Sequence, residues 1–171
     1  MKQLVFLLLA LLTFPVSADA GKKKNFVEYN YELSLDIPNV AATSGFKVFK
    51  VWSYCKKRNM LTKENCMRNA VHGILFKGLV AADIGTQGNV PALVPEGYET
   101  HEKYFDHFFE SGEFKQFIQF TSKGAQQAGD VVKTSNKEWK VGLIVQVNVN
   151  ALRVRLEKDG IIKSVKGIFT R

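Results

Sequence analysis

The sequence predicts an α+β fold in which a mainly antiparallel sheet of four to five strands packs against two to three helices. Residues 27–37 and 139–149 alternate strictly between apolar and polar side chains, which predicts strands with one buried and one wet face. Apolar residues recur at helical spacing after Thr62 and after Glu99, which predicts two amphipathic helices. Because a doubly covered sheet would not alternate so cleanly, we expect the helices to cover one face.

The first twenty residues predict a signal peptide. Lys2 supplies a positive start, and an almost wholly apolar run from Leu4 to Phe14 precedes small residues that suit signal peptidase. This run is shorter than the about 20 residues that a membrane-spanning helix needs. We therefore expect residues 1–20 to be removed on export and residues 21–171 to form one soluble α+β domain, in the periplasm or outside the cell.

Residues 46–78 predict a strand, a basic turn and an amphipathic helix. The run from Phe46 to Tyr54 is rich in aromatic and β-branched residues and lacks Gly and Pro, which suits a strand that is partly buried on both faces. Charged residues interrupt this pattern from Lys56 onward. Thr62 is the expected N-cap of the helix, and Gly78 is the expected stop because glycine adopts the left-handed conformation without steric cost.

The second half of the chain predicts a long irregular segment, two helices and further strands. Residues 79–98 are rich in Gly and Pro, so we expect them to be functional or loosely ordered. A helix is expected from Glu99 to Gly112. The aromatic run 114–120 favours a strand, although its spacing also allows a helix. Asn150 is the expected N-cap of a last helix over residues 151–159.

The two cysteines, Cys55 and Cys66, both lie in the strand–turn–helix unit. An oxidising compartment permits a disulfide between them, and the short intervening loop allows the two to meet. The alternative is a pair of buried free thiols that behave as small apolar side chains. Spacing does not distinguish the two, because a disulfide also requires close and correctly directed Cβ atoms.

The sequence contains no recognisable catalytic or metal-binding pattern, including HExxH, GxSxG and CxxC. His101 and His107 are six residues apart, which on a helix directs them to different sides. His72 lies beside an apolar helical stripe, where a histidine is more often a partly buried, hydrogen-bonded residue than a ligand. We therefore expect no metal and no cofactor, and a non-enzymatic role is favoured over an enzymatic one.

The formal net charge of +8 points to an anionic or acidic partner. Export makes nucleic acid a poorer candidate than an envelope glycan, a lipid head group or an acidic protein. Lys56, Lys57 and Arg58 in the basic turn are candidate contacts. Basic residues concentrate in 46–77 and acidic ones in 96–113, which indicates either two solvated faces of a monomer or a head-to-tail assembly of copies.

Three functions are compatible with these patterns. The first is a non-enzymatic exported module that binds an envelope protein or an anionic envelope component. The second is a secreted hydrolase of glycan or peptide with its site in the 79–101 loop, for which the candidate residues are Asp83, Thr86, Gln87 and His101. The third is a carbohydrate-binding module, for which the candidate aromatic residues are Trp52, Tyr54 and Tyr98.

Several segments carry a resemblance to a known family. They are KVWSY at 50–54, NAVHGILFKG at 69–78, QAGD at 127–130, and a C-terminal run from KVG at 140–142 through ALR at 151–153 to GIIK at 160–163. In these segments the chain resembles a family of uncharacterised exported proteins of Bacteroidota-type Gram-negative bacteria, from which no catalytic residues carry over. The strand-then-helix layout is also similar to flagellum-associated outer-membrane lipoproteins, but this chain has no lipidation cysteine.

Overall fold

The computed structural model confirms the predicted α+β class. It describes residues 29–35, 44–56, 62–80, 89–121 and 130–164 of the 171-residue chain. Within these ranges the chain forms a five-stranded antiparallel sheet, three α-helices and two short 3-10 helices. The predicted signal peptide, residues 1–20, lies outside them.

The longest strand, β5, is the centre of the sheet. The five strands are β1 (Tyr31–Ser34), β2 (Phe46–Cys55), β3 (Ile118–Phe120), β4 (Val131–Ser135) and β5 (Glu138–Asn148). On one side β5 pairs with β2 over ten residue pairs, and β1 then pairs with the outer edge of β2. On its other side β5 pairs with β4 near its start and with β3 near its end. The first two strands are therefore antiparallel neighbours, in line with the predicted mainly antiparallel sheet.

The helices share one apolar core with one face of the sheet. They are α1 (Lys63–Phe76), α2 (Glu102–Glu110) and α3 (Val149–Lys158), with 3-10 helices at Glu99–His101 and Glu113–Phe117. Phe49 and Val51 of β2 and Val145 of β5 are fully buried in a core that also contains the buried residues of all three α-helices. Alternate residues of β2 and β5 therefore face the helices, as the period-two pattern predicts.

Helix α1 begins and ends where the sequence predicts. The Thr62 hydroxyl accepts a hydrogen bond of 3.1 Å from the backbone N–H of Asn65, which satisfies one of the free donors of the first turn. Gly78 has a φ of 72° and donates its N–H to the Gly73 carbonyl over 2.8 Å. Gly73 also lets β1 come close, because a Cβ there would collide with the Leu33 side chain.

Two local predictions are wrong. Residues 114–117 belong to a 3-10 helix, in line with the helical alternative rather than the favoured strand, and only Ile118–Phe120 form a strand. Side chains three residues apart lie on the same side of a 3-10 helix, so Phe114 and Phe117 are both buried there. The N-cap of α3 is Asn148, whose side chain accepts a hydrogen bond of 2.9 Å from Ala151, whereas the predicted cap Asn150 lies in the first turn.

The described parts of the irregular 79–98 segment belong to the core. Leu79 and Val90 form a β-bridge with two backbone hydrogen bonds of 2.8 and 2.9 Å. The Leu93 and Val94 side chains are buried, and their N–H groups donate to carbonyls of the last turn of α1. These bonds satisfy acceptors that a helix end otherwise leaves free. Residues 79–80 and 89–98 are therefore not loosely ordered, and a functional role for the segment stays a prediction.

Candidate functional site

The candidate site lies on the sheet face opposite the helices. Ser53 points toward α1, where its hydroxyl accepts a hydrogen bond of 2.9 Å from Asn69, so its neighbours along β2 point the other way. The buried apolar residues of the three α-helices share their core with the opposite side of β2, at Phe49 and Val51. On the second face Val48 is also buried, whereas Trp52 and Tyr54 are partly exposed. We call this second face the Trp52 face, and define it by Glu32 of β1, Lys50, Trp52 and Tyr54 of β2, Asp130 next to β4, and Lys140 and Gly142 of β5.

Gly142 makes room for the side chains at the centre of the Trp52 face. It pairs directly with Trp52 across the two longest strands. A Cβ at Gly142 would lie 2.6 Å from Cε of Lys50 and 2.7 Å from Cζ3 of the Trp52 indole. Contacts below about 3 Å do not occur for real Cβ atoms, so the indole and the lysine stem occupy the space that any other residue would need.

Two lysines on this face each lie between a carboxylate and an aromatic ring. Lys140 donates a hydrogen bond of 2.8 Å to Glu32, and its Nζ lies 4.9 Å from the Trp52 ring centroid and 5.1 Å from that of Tyr54. Lys50 donates to Asp130, and its Nζ lies 4.2 Å from the Trp52 centroid. These distances are typical of cation–π contacts. The face thus presents aromatic rings with hydrogen-bond donors and acceptors beside them.

The charges of the face are matched to one another. Hydrogen bonds from Lys140 and from Tyr54 hold the pKa of Glu32 below its usual value, so this carboxylate is ionised at neutral pH. The two lysines and the two carboxylates then sum to zero charge. Further along β5, beyond Gly142 and Ile144, Gln146 donates to Gln119 over 3.2 Å in an exposed amide pair.

The binding residues predicted from the sequence lie elsewhere. Lys56 is exposed directly after β2. His101 is half-buried where α2 begins, with its ring edge-on to Phe105 at a centroid distance of 6.5 Å. The other predicted residues lie outside the described ranges; they are Lys57, Arg58, Asp83, Thr86 and Gln87. Of the three aromatic candidates, Trp52 and Tyr54 share the Trp52 face, whereas Tyr98 donates to Asp106 on the helical side over 2.7 Å.

The cysteines and His72 have environments that suit structural roles. Cys55 and Cys66 are free thiols in the structure, and burial raises the pKa of Cys66. Nδ1 of His72 shares a hydrogen bond of 2.7 Å with the Tyr31 hydroxyl, and the Tyr29 ring stacks on the imidazole at a centroid distance of 3.7 Å. Burial lowers the pKa of His72 to about 4, so it is neutral at pH 7. This matches the hydrogen-bonded, partly buried histidine that the sequence predicts.

Sequence reasoning missed most residues of the Trp52 face. Glu32 and Lys140 are 108 positions apart, and Lys50 and Asp130 are 80 apart. Alternation places Lys140 on the polar side of its strand, but only the register of β1, β2 and β5 shows which polar residues meet. A lone glycine inside the alternating 139–149 pattern was the one local signal, since such a glycine often marks a close approach.

Comparisons of the chain with protein-family models, with curated proteins and with solved structures found no match. In the described ranges no helix is long and apolar enough to cross a membrane. In the same ranges no three side chains of His, Cys, Asp or Glu are grouped so that they could hold a metal ion. The chemistry of the Trp52 face is therefore the observation that bears most directly on function.

Proposed function

We propose that this chain is an exported, non-enzymatic module that binds a component of the cell envelope through the Trp52 face. The observation that supports it is the placement of Trp52 and Tyr54 side by side on the sheet face opposite the shared apolar core, where both side chains are partly exposed. Tyrosine and tryptophan combine a large apolar surface with a polar group, and they are enriched where proteins bind partners. Export and an envelope location are part of the proposal and rest on residues 1–20.

Stability alone gives a weak account of this face. The Lys140–Glu32 pair is partly solvated, with 60% of the Glu32 side chain exposed. Such pairs contribute only about 0–1 kcal/mol to folding. Gly142 adds no side-chain packing of its own in the middle of a long strand, and its role there is to leave room for Lys50 and Trp52. A face that keeps a strand glycine in order to seat an indole and two paired lysines is better explained by recognition.

The matched charges also limit what this face recognises. Because Lys50 and Lys140 are already neutralised by Asp130 and Glu32, the face offers no excess positive charge to an anionic envelope component. Attraction of such a component would rest on other lysines, such as the exposed Lys56. The alternative function, a hydrolase with its site in 79–101, has no supporting contact among the described residues.

Cosedimentation with envelope fragments tests the proposal. Protein purified after export is mixed with washed envelope fragments, and the bound fraction is measured at low and high salt. We expect Trp52→Ala to lower the bound fraction at least about tenfold, and salt to have little effect because the charges of the face are paired internally.

The matched control is Val154→Ala. Val154 is 63% exposed on α3, on the helical side of the molecule, so its loss is expected to leave binding unchanged. Equal binding by wild type, Trp52→Ala and Val154→Ala would exclude the Trp52 face as the contact surface. Circular dichroism of each variant confirms that the fold is retained.

A further inference from the structure

We infer that the component bound by the Trp52 face is a neutral oligosaccharide; this inference rests on the proposed function. A sugar ring has an apolar C–H face and a rim of hydroxyl groups that both donate and accept hydrogen bonds. It therefore fits a surface where an aromatic ring lies beside paired donors and acceptors. Trp52 and Tyr54 supply the rings, and both are partly exposed.

The polar groups around the rings are arranged for hydroxyl recognition. Glu32 offers carboxylate oxygens, Lys140 offers an ammonium group, and Tyr54 offers a hydroxyl that bonds to Glu32. A sugar hydroxyl placed among these groups can accept one hydrogen bond and donate another. Because the groups already hold one another, they are partly ordered before a ligand arrives, which lowers the entropy cost of binding.

The size of the surface points to a chain of sugars rather than a single ring. Polar side chains lie at both ends of this face of β5, at Lys140 and at Gln146, with Gly142 and Ile144 between them. The two ends are about 20 Å apart at roughly 3.4 Å per residue. At the far end the exposed amides of Gln146 and Gln119 lie 3.2 Å apart and supply further donors and acceptors. An extended oligosaccharide lying along β5 would contact both ends.

Two other classes of occupant fit less well. A polyanion gains no net attraction from two lysines that two carboxylates neutralise. A second copy of the chain, or a partner protein that packs flat on the sheet, requires about 800 Å² of surface on each side with an apolar centre. Within the described ranges the exposed large apolar side chains are Val80, Val132 and Val154. Of these Val132 alone belongs to the sheet; it pairs with Lys140 on the Trp52 face, where one valine does not supply such a centre.

The second tryptophan makes a direct assay possible. The chain has two tryptophans, and Trp139 lies on the helix-facing side of β5, so Trp139→Phe leaves Trp52 as the only indole without altering the proposed site. In this background we titrate hexasaccharides of cellulose, chitin, amylose and laminarin, and a heparin hexasaccharide as the anionic probe. We expect at least one neutral hexasaccharide to shift the Trp52 emission to shorter wavelength, with saturation below about 1 mM.

Two variants locate the contact. Lys140→Met retains the aliphatic stem but removes the ammonium group, and it is expected to weaken binding about tenfold. Gly142→Ala keeps every polar group but forces the indole to move, and it is expected to abolish the emission change. If Gly142→Ala does not fold, Lys140→Met alone decides whether the saccharide lies on this face.

The outcomes separate this inference from the proposed function. An unchanged emission with all four neutral hexasaccharides at about 10 mM would overturn the inference, as would tighter binding of the heparin probe. If envelope cosedimentation still depends on Trp52 but is lost when the envelope is treated with protease, the partner is a protein and only the saccharide inference fails. If cosedimentation does not depend on Trp52 either, both proposals fail.

Discussion

His72 shows how burial fixes the state of a single titratable group. Its ring is stacked on Tyr29 and bonded to Tyr31, and burial, followed by the nearby charge of Lys77, lowers its pKa to about 4 from the usual 6.5. The neutral imidazole is therefore part of the folded structure. The position of His72 beside an apolar helical stripe predicts a hydrogen-bonded, partly buried histidine, and its contacts with Tyr29 and Tyr31 agree with that prediction.

The low pKa of His72 predicts a loss of stability in acid. The unfolded chain takes up a proton as pH falls below about 6.5, whereas the folded chain does so only near pH 4. The contribution is therefore full above about pH 6.5 and declines toward pH 4, by up to roughly 3 kcal/mol at about 1.4 kcal/mol per pKa unit. Urea unfolding measured between these pH values checks it.

The control for this experiment is His72→Gln, which keeps a polar group near Tyr31 but does not titrate. Its free energy of unfolding is expected to vary much less with pH across the same range. Identical pH profiles for wild type and His72→Gln would show that other groups account for the acid sensitivity.

The sequence predicts a helix N-cap correctly where only one suitable capping residue is nearby. Thr62 has no competing cap nearby, and it caps α1 as predicted. At the start of α3 two asparagines flank Val149, and the sequence favoured Asn150 because Val149 continues the alternating pattern. The structure uses Asn148, because β5 makes its last pair there, opposite Phe46. The choice between the two depends on where the sheet ends, which is a tertiary property.

The capping of α3 by Asn148 can be tested against its neighbour. Asn148→Ala removes the side-chain acceptor for the Ala151 N–H, and it is expected to lower the free energy of unfolding by about 1 kcal/mol. Asn150→Ala, in the exposed first turn, is expected to cost less than half as much. Chemical denaturation of both variants measures the difference, and the opposite order of effects would contradict the assignment.

The sequence predicts a whole strand or helix correctly where a single hydrophobic periodicity runs through the segment. The strands β2 and β5 and the helix α1 follow long, uniform patterns, and each lies where the sequence predicts. The 113–117 segment is too short for a period to be distinguished. Its aromatic spacing suited a strand, but Gly112, with a φ of 79°, turns the chain so that Phe114 packs near Phe109 in a 3-10 helix.

At the scale of the molecule, the sequence predicts the fold class better than it predicts the site. Alternation and helical spacing are local, and they were sufficient for an antiparallel sheet with helices on one face. The Trp52 face requires β1, β2 and β5 to be in register and Asp130 to reach Lys50. No local sequence pattern predicts which residues of these strands come into contact.

The two faces of the sheet are expected to unfold together. Trp52 and Trp139 lie on opposite faces of the same pair of strands, and a single apolar core joins that pair to all three α-helices. A domain of this size usually unfolds in one transition. Thermal melts followed by tryptophan emission, in Trp139→Phe and Trp52→Phe separately, are expected to coincide with the loss of helical circular dichroism. A Trp52 transition several degrees lower would show that its face melts independently.

The bridge between Leu79 and Val90 determines where this chain can tolerate an insertion. It holds the two ends of the intervening sequence next to each other, and both ends are buried in the core. When loop ends are fixed in this way, doubling the length between them costs only about 0.6 kcal/mol. The stretch between Val80 and Asn89 is therefore a graft point, where a reporter peptide or a longer natural insertion can be accommodated while the core on either side stays intact.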